Sequence, residues 1–153
     1  MIFQISNNWF AGKINLLNSS LAENEKLQKR DLNFETDSAP AALKDNSYLL
    51  KLKEFRLNDD ESKTIKALIT VEFCFRLYKK LNENYRKLID EKLYELTRLL
   101  NDDSDSGLEY TENSFTIANI YNISITGLNK SYKGGEYLTP VLEFELQIIN
   151  ETQ

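Results

Sequence analysis

The chain has 153 residues, a length that suits one domain. Its formal net charge of −5 disfavours a broad electrostatic footprint on nucleic acid, which needs clustered Lys and Arg. It contains no His and a single Cys, which removes the commonest general base and metal ligand, any internal disulfide, and zinc sites built from several thiolates.

The opening stretch, MIFQISNNWFAGKINLL, is partly apolar but has neither the basic n-region nor the small-residue cleavage site of a signal peptide. No run approaches the roughly 20 apolar residues that span a bilayer. The expectation is an intracellular chain without membrane contact, in which the sequons at Asn18, Asn122 and Asn150 are chance matches.

In chain order, a first helix is predicted over residues 7–21, because Trp9, Phe10, Ile14, Leu17 and Leu21 recur at helical spacing. Residues 22–46 are polar and poorly periodic and read as a long connection with room for one extra helical turn. A strand follows over Ser47–Leu57, with Tyr48, Leu50 and Leu52 on one face and Leu49, Lys51 and Lys53 on the other. The polar turn NDDES leads into KTIKALITVEFCFRLYKK. There Ile65, Ala67, Ile69, Val71, Phe73, Phe75 and Leu77 alternate with Thr64, Lys66, Thr70, Glu72, Cys74 and Arg76. The two runs form a long antiparallel hairpin.

A second helix is predicted from Asn82, a plausible N-cap, with Tyr85, Leu88, Ile89, Leu93, Leu96, Leu99 and Leu100 on one stripe. Residues 101–113 read as an acidic loop. A third strand would place Phe115, Ile117, Tyr121, Ile123 and Ile125 in register. After a turn containing Gly134 and Gly135, a fourth would place Leu138, Leu142, Phe144, Leu146 and Ile148 inward, starting at an edge or bulge because Pro140 cannot donate to a ladder. The expected fold is a single α+β domain over 1–153, ordered α-β-β-α-β-β. It has a mainly antiparallel four-stranded sheet, a long β-hairpin and a helix packed on one face.

The second strand is long for its domain. At about 3.3 Å per residue its fourteen or so residues reach roughly 45 Å. A globule of this size is about 40 Å across. Either the hairpin is strongly twisted around the helix, or part of it lies outside its own core and completes a sheet with a neighbouring copy.

Candidate chemistry is sparse. Asp102, Asp103, Asp105 and Gly107 fail as a calcium loop: with Gly107 at the sixth position, the first, third and fifth are Asp102, Ser104 and Ser106, and the twelfth is Asn113 rather than Glu. They read as a solvated loop, as do Asp59, Asp60 and Glu61 at the hairpin tip, although an acidic tip could pair with a basic patch and set register. Cys74 has no His to activate it and reads as a buried structural thiol. KGGE at Lys133 lacks the spacing of a phosphate loop. Lys79, Lys80, Arg86 and Lys87, with Tyr78 and Tyr85 interleaved, could touch nucleic acid but read first as solvent-facing decoration of the helix start. No cofactor, no metal and no catalytic residue is expected.

Three stretches carry a family resemblance: APAALKDNSYLLKL, ALITVEFCFRLYKKLNENYRKLIDEKLYELTRLL and GGEYLTPVLEFELQI, together spanning residues 39–149. In their order of helix, long loop, long hairpin, helix and hairpin they resemble the tail-terminator and tail-completion proteins of tailed bacteriophages and prophages. The long connection after the first helix and the acidic loop after the second depart from that pattern. The resemblance implies a non-enzymatic structural protein of the virion, assembled in the host cytoplasm. It implies a ring, usually a hexamer, that caps the tail-tube protein, joins the head connector or neck, and passes DNA only as cargo. On that reading the subunit or partner interface would use Tyr48, Lys51 and Lys53, the tip residues Asp59, Asp60 and Glu61, and Thr70, Glu72 and Arg76. The alternatives are a non-enzymatic binding module or assembly chaperone that captures another protein, and an acid-cluster nuclease, against which the loop placement of the carboxylates argues.

Overall fold

The computed structural model describes residues 1–30, 45–57, 63–77, 82–106, 109–129, 131–132 and 136–151. Helix α1 runs Ile2–Asn18. It starts five residues earlier than the sequence suggested, because Ile5 is already core and the stripe Ile5, Trp9, Phe10, Ile14, Leu17 is continuous. Ser6 interrupts this stripe without cost, since its Oγ donates to the Ile2 carbonyl at 2.7 Å. After the helix, Asn18 makes a reciprocal pair with Leu27, its Nδ2 donating to the Leu27 carbonyl and its Oδ1 accepting from the Leu27 amide, both at 2.9 Å. This pair folds back the connection, which holds a short 3-10 turn, Glu23–Glu25, and a two-residue strand β1, Gln28–Lys29.

Strands β2, Ser47–Leu57, and β3, Thr64–Arg76, form the expected antiparallel hairpin. Helix α2 runs Asn82–Ser106. It continues through half of the expected acidic loop, and strand β4, Tyr110–Glu112, occupies much of the rest. Strand β5 spans Phe115–Thr126 and β8 spans Val141–Asn150. Between them a small hairpin pairs β6, Ser131–Tyr132, with β7, Tyr137–Leu138. Pro140 lies in the break between β7 and β8, where no ladder donor is required, and its carbonyl accepts from the Phe73 amide at 3.0 Å.

These strands overturn the expected four-stranded, mainly antiparallel sheet. Among the described residues the sheet has eight strands, in the order β1-β2-β3-β8-β5-β4, with β7 joined to β3 and β6 to β7. It is mixed, because β1 runs parallel to β2, and it curls into a half-barrel. The physical reason is length: strands of two or three residues carry no measurable alternation, so pattern reading finds only the four long ones.

Both helices cover the inner face. Trp9 meets Phe144 edge-on at 5.7 Å, and Phe10 stacks on Phe144 at 5.9 Å. From α2, Ile89, Leu93, Leu96 and Leu100 are buried, as their spacing required, whereas Leu88 is exposed. Strand β3 lies between β2 and β8, and its inner residues from Ile65 to Phe75 are buried throughout, as is Leu77 just beyond it. The long strand therefore crosses the domain rather than leaving it. All five inward residues expected of the last strand, Leu138 to Ile148, are core.

Strand β5 departs from simple alternation. Its pairing with β8 slips between Ile117 and Asn119 and again between Tyr121 and Ser124. The first bulge turns Ile120 into the core and Tyr121 outward, against the expected inward Tyr121; at the second, Asn122 takes φ 55°. Asn tolerates this left-handed conformation better than most residues.

Candidate interaction surface

The residues proposed from sequence as an interface meet different fates. Tyr48 is core: it sits on the inner face, edge-on to Phe10 at 5.6 Å, and burial raises the pKa of its hydroxyl. Lys51, Lys53, Thr70 and Glu72 do share the outer face, but the charged ones are paired within the chain. Lys51 Nζ lies 3.0 Å from Glu72 Oε2, and Lys53 Nζ lies 4.0 Å from Glu143 Oε1. Arg76 reaches Glu136 at 3.5 Å, and its backbone amide donates to Asp45 Oδ1 at 2.8 Å. Such partly exposed pairs contribute little individually. They pair the outer-face charges of Lys51, Lys53, Glu72 and Arg76 within the chain. Asp59, Asp60 and Glu61 lie outside the described residues, as do Tyr78, Lys79, Lys80 and Gly107.

Beside this ladder, a recess of about 340 Å³ lies at the second bulge of β5, lined by residues of β3, β5 and β8. Its polar groups satisfy one another: Asn122 Nδ2 donates to Glu145 Oε2 at 2.7 Å, Tyr121 donates to Gln147 Oε1 at 3.3 Å, and Lys66 approaches Glu145 at 3.6 Å. Cys74 is fully buried at the end of β3, as its setting suggested. Among the described residues, no three carboxylate or thiol side chains are grouped so as to hold a metal ion.

The surface that stands out is one the sequence reading passed over. The β2–β3 register slips between Leu52 and Glu54, leaving Lys53 as the extra residue of a bulge. The slip reverses the phase of the rest of β2. Phe55 is now opposite Ala67, and Leu57 opposite Ile65, so both join the inner face. Ala67 and Ile65 are buried, yet Phe55 and Leu57 are each 56 % exposed. Among the described residues, no strand pairs with β2 on its other side beyond Tyr48, where β1 ends its contact. Among the described residues, the distal half of β2 is therefore an unpaired edge that carries two exposed apolar side chains continuous with the core face. The signal was present in the sequence: Phe55 and Leu57 alternate with Glu54 and Arg56, one residue out of phase with Tyr48, Leu50 and Leu52.

No protein-family model matches the chain, and no curated protein matches it. Among the described residues, no helix is long and apolar enough to cross a membrane.

Proposed function

We propose that the chain is a structural subunit of a phage or prophage tail, acting without covalent chemistry as part of a ring that closes the tail tube and meets the head connector. The observation that carries this reading is the distal edge of β2. An apolar edge strand that no strand among the described residues covers is an aggregation liability unless another segment or chain pairs with it. A heterologous ring contact, in which one surface of each subunit meets a different surface of the next, would cover it in every subunit.

The test is tube growth. Purified chain added to polymerising tail tubes of the element that encodes it should arrest elongation and appear as a cap on one end in negative-stain images. Elongation at an unchanged rate with bare tips would contradict the reading. A stable one-to-one complex with a different protein, without tube capping, would favour the binding-module alternative, since an edge strand also captures extended segments of other chains.

A further inference from the structure

We propose that in the free chain the occupant of the β2 edge is a second copy of the same chain, paired antiparallel about a twofold axis at Phe55. Register and charge select this pairing. Beyond the bulge, Phe55 and Leu57 point to the inner face and Glu54 and Arg56 to the outer face. A twofold axis perpendicular to the sheet keeps these faces matched only when it passes through a residue, not between two.

Three such axes lie within 54–56. An axis at Glu54 sets Glu54 against itself. An axis at Arg56 sets Arg56 against itself. An axis at Phe55 places Glu54 of each copy opposite Arg56 of the other, twice, and Phe55 against Phe55. Opposite charges directly across an antiparallel pair are favourable, like charges are unfavourable, and aromatic pairs add to the first. The segment KEFRL, residues 53–57, is thus complementary to itself in one register and repulsive in its neighbours.

The surroundings agree. Glu54 and Arg56 are exposed, and neither enters an ion pair among the described residues. The cross-strand neighbour of Arg56 within the chain is Lys66, a like charge whose own carboxylate partner is Glu145 on the far side. Arg56 therefore faces repulsion inside the monomer and attraction across the proposed axis. The pair would join two half-barrels into one continuous sheet, with helices on the same side and the exposed apolar side chains turned toward each other. The contact is isologous, so it closes at two copies. It concerns the unassembled chain and does not depend on the ring reading.

The experiment is light-scattering mass across a wide concentration range for the wild type, Glu54→Arg, Arg56→Glu, the double reversal, and an equimolar mixture of the two single variants. Circular dichroism on each confirms that these surface changes leave the fold intact. The expected result is a wild-type dimer that each single variant weakens by at least tenfold. The double reversal and the mixture should restore it, because both recreate two opposite-charge pairs. A wild type that stays monomeric up to millimolar concentration would overturn the inference. So would single variants that dimerise like the wild type, or a mixture that stays monomeric. A six-copy mass insensitive to all these changes would also overturn it while leaving the ring reading standing.

Discussion

Lys92 Nζ donates to Asn46 Oδ1 at 2.8 Å, joining the middle of α2 to the residue that precedes β2. The same ammonium donates to the Glu25 carbonyl at 2.6 Å and lies 5.6 Å from the Phe75 ring centroid. Asn46 holds its side chain in place with φ 53°, and its Nδ2 donates to the Asn24 carbonyl at 3.1 Å. One lysine, 7 % exposed, thus fastens the 3-10 turn, the start of β2 and α2 together.

Replacing Lys92 by Met would keep much of the stem and strand the Glu25 carbonyl and Asn46 Oδ1 without this donor. The expected loss is about 1–3 kcal/mol, the cost of burying unsatisfied polar groups, read from urea midpoints. Burial lowers the pKa of Lys92, and the nearby Glu25 and Asp45 offset this only in part. The unfolded chain therefore holds the proton more tightly. The contribution of this lysine to stability rises with pH between its depressed value and the ordinary lysine value of about 10.4. The wild type should gain on Lys92→Met over that alkaline range; a difference independent of pH would show that the ammonium is not desolvated.

Phe144 ties α1 to the sheet through Trp9 and Phe10 and is fully buried. Phe144→Ala should destabilise the chain by about 3–5 kcal/mol in denaturant melts, because the two rings above it cannot collapse into the space without moving the helix. A loss below about 1 kcal/mol would mean that α1 is not fastened where the structure puts it.

Much of this core was legible in the sequence, and the exceptions share a cause. The inner faces of β3 and β8 followed from strict alternation, and the α2 stripe from helical spacing. Lys92 escaped notice because a lysine beside the stripe looks solvent-facing until the Glu25 carbonyl and Asn46 come together over it. Tyr121 and Phe55 were misread or overlooked because bulges shift the phase by one residue, and the shift comes from backbone pairing rather than composition. Strands as short as β1 exist only through their neighbours: Gln28 and Lys29 are a strand because the Gln28 amide finds the Asn46 carbonyl at 2.9 Å and the Arg30 amide finds the Tyr48 carbonyl at 2.8 Å.

The outer-face ion pairs should matter little to stability. Lys51→Ala or Glu72→Ala should each shift it by less than about 1 kcal/mol, since the pair is partly exposed and screened. Raising salt should reduce even that difference. A larger loss would reveal a coupling along the ladder with Lys53 and Glu143.

Cys74 is completely shielded in the folded chain. A thiol reagent such as DTNB should leave it unmodified under native conditions and label it at once in concentrated guanidinium. Rapid native labelling would mean that the end of β3 opens readily.

The central claim is that this chain works by presenting an open edge of β2 to other chains. The most direct measurement is sedimentation equilibrium of the wild type beside Phe55→Ser/Leu57→Ser, a change confined to two exposed side chains. The account predicts concentration-dependent self-association of the wild type and a folded variant that remains a monomer over the same range. Equal masses for the two at every concentration would contradict it.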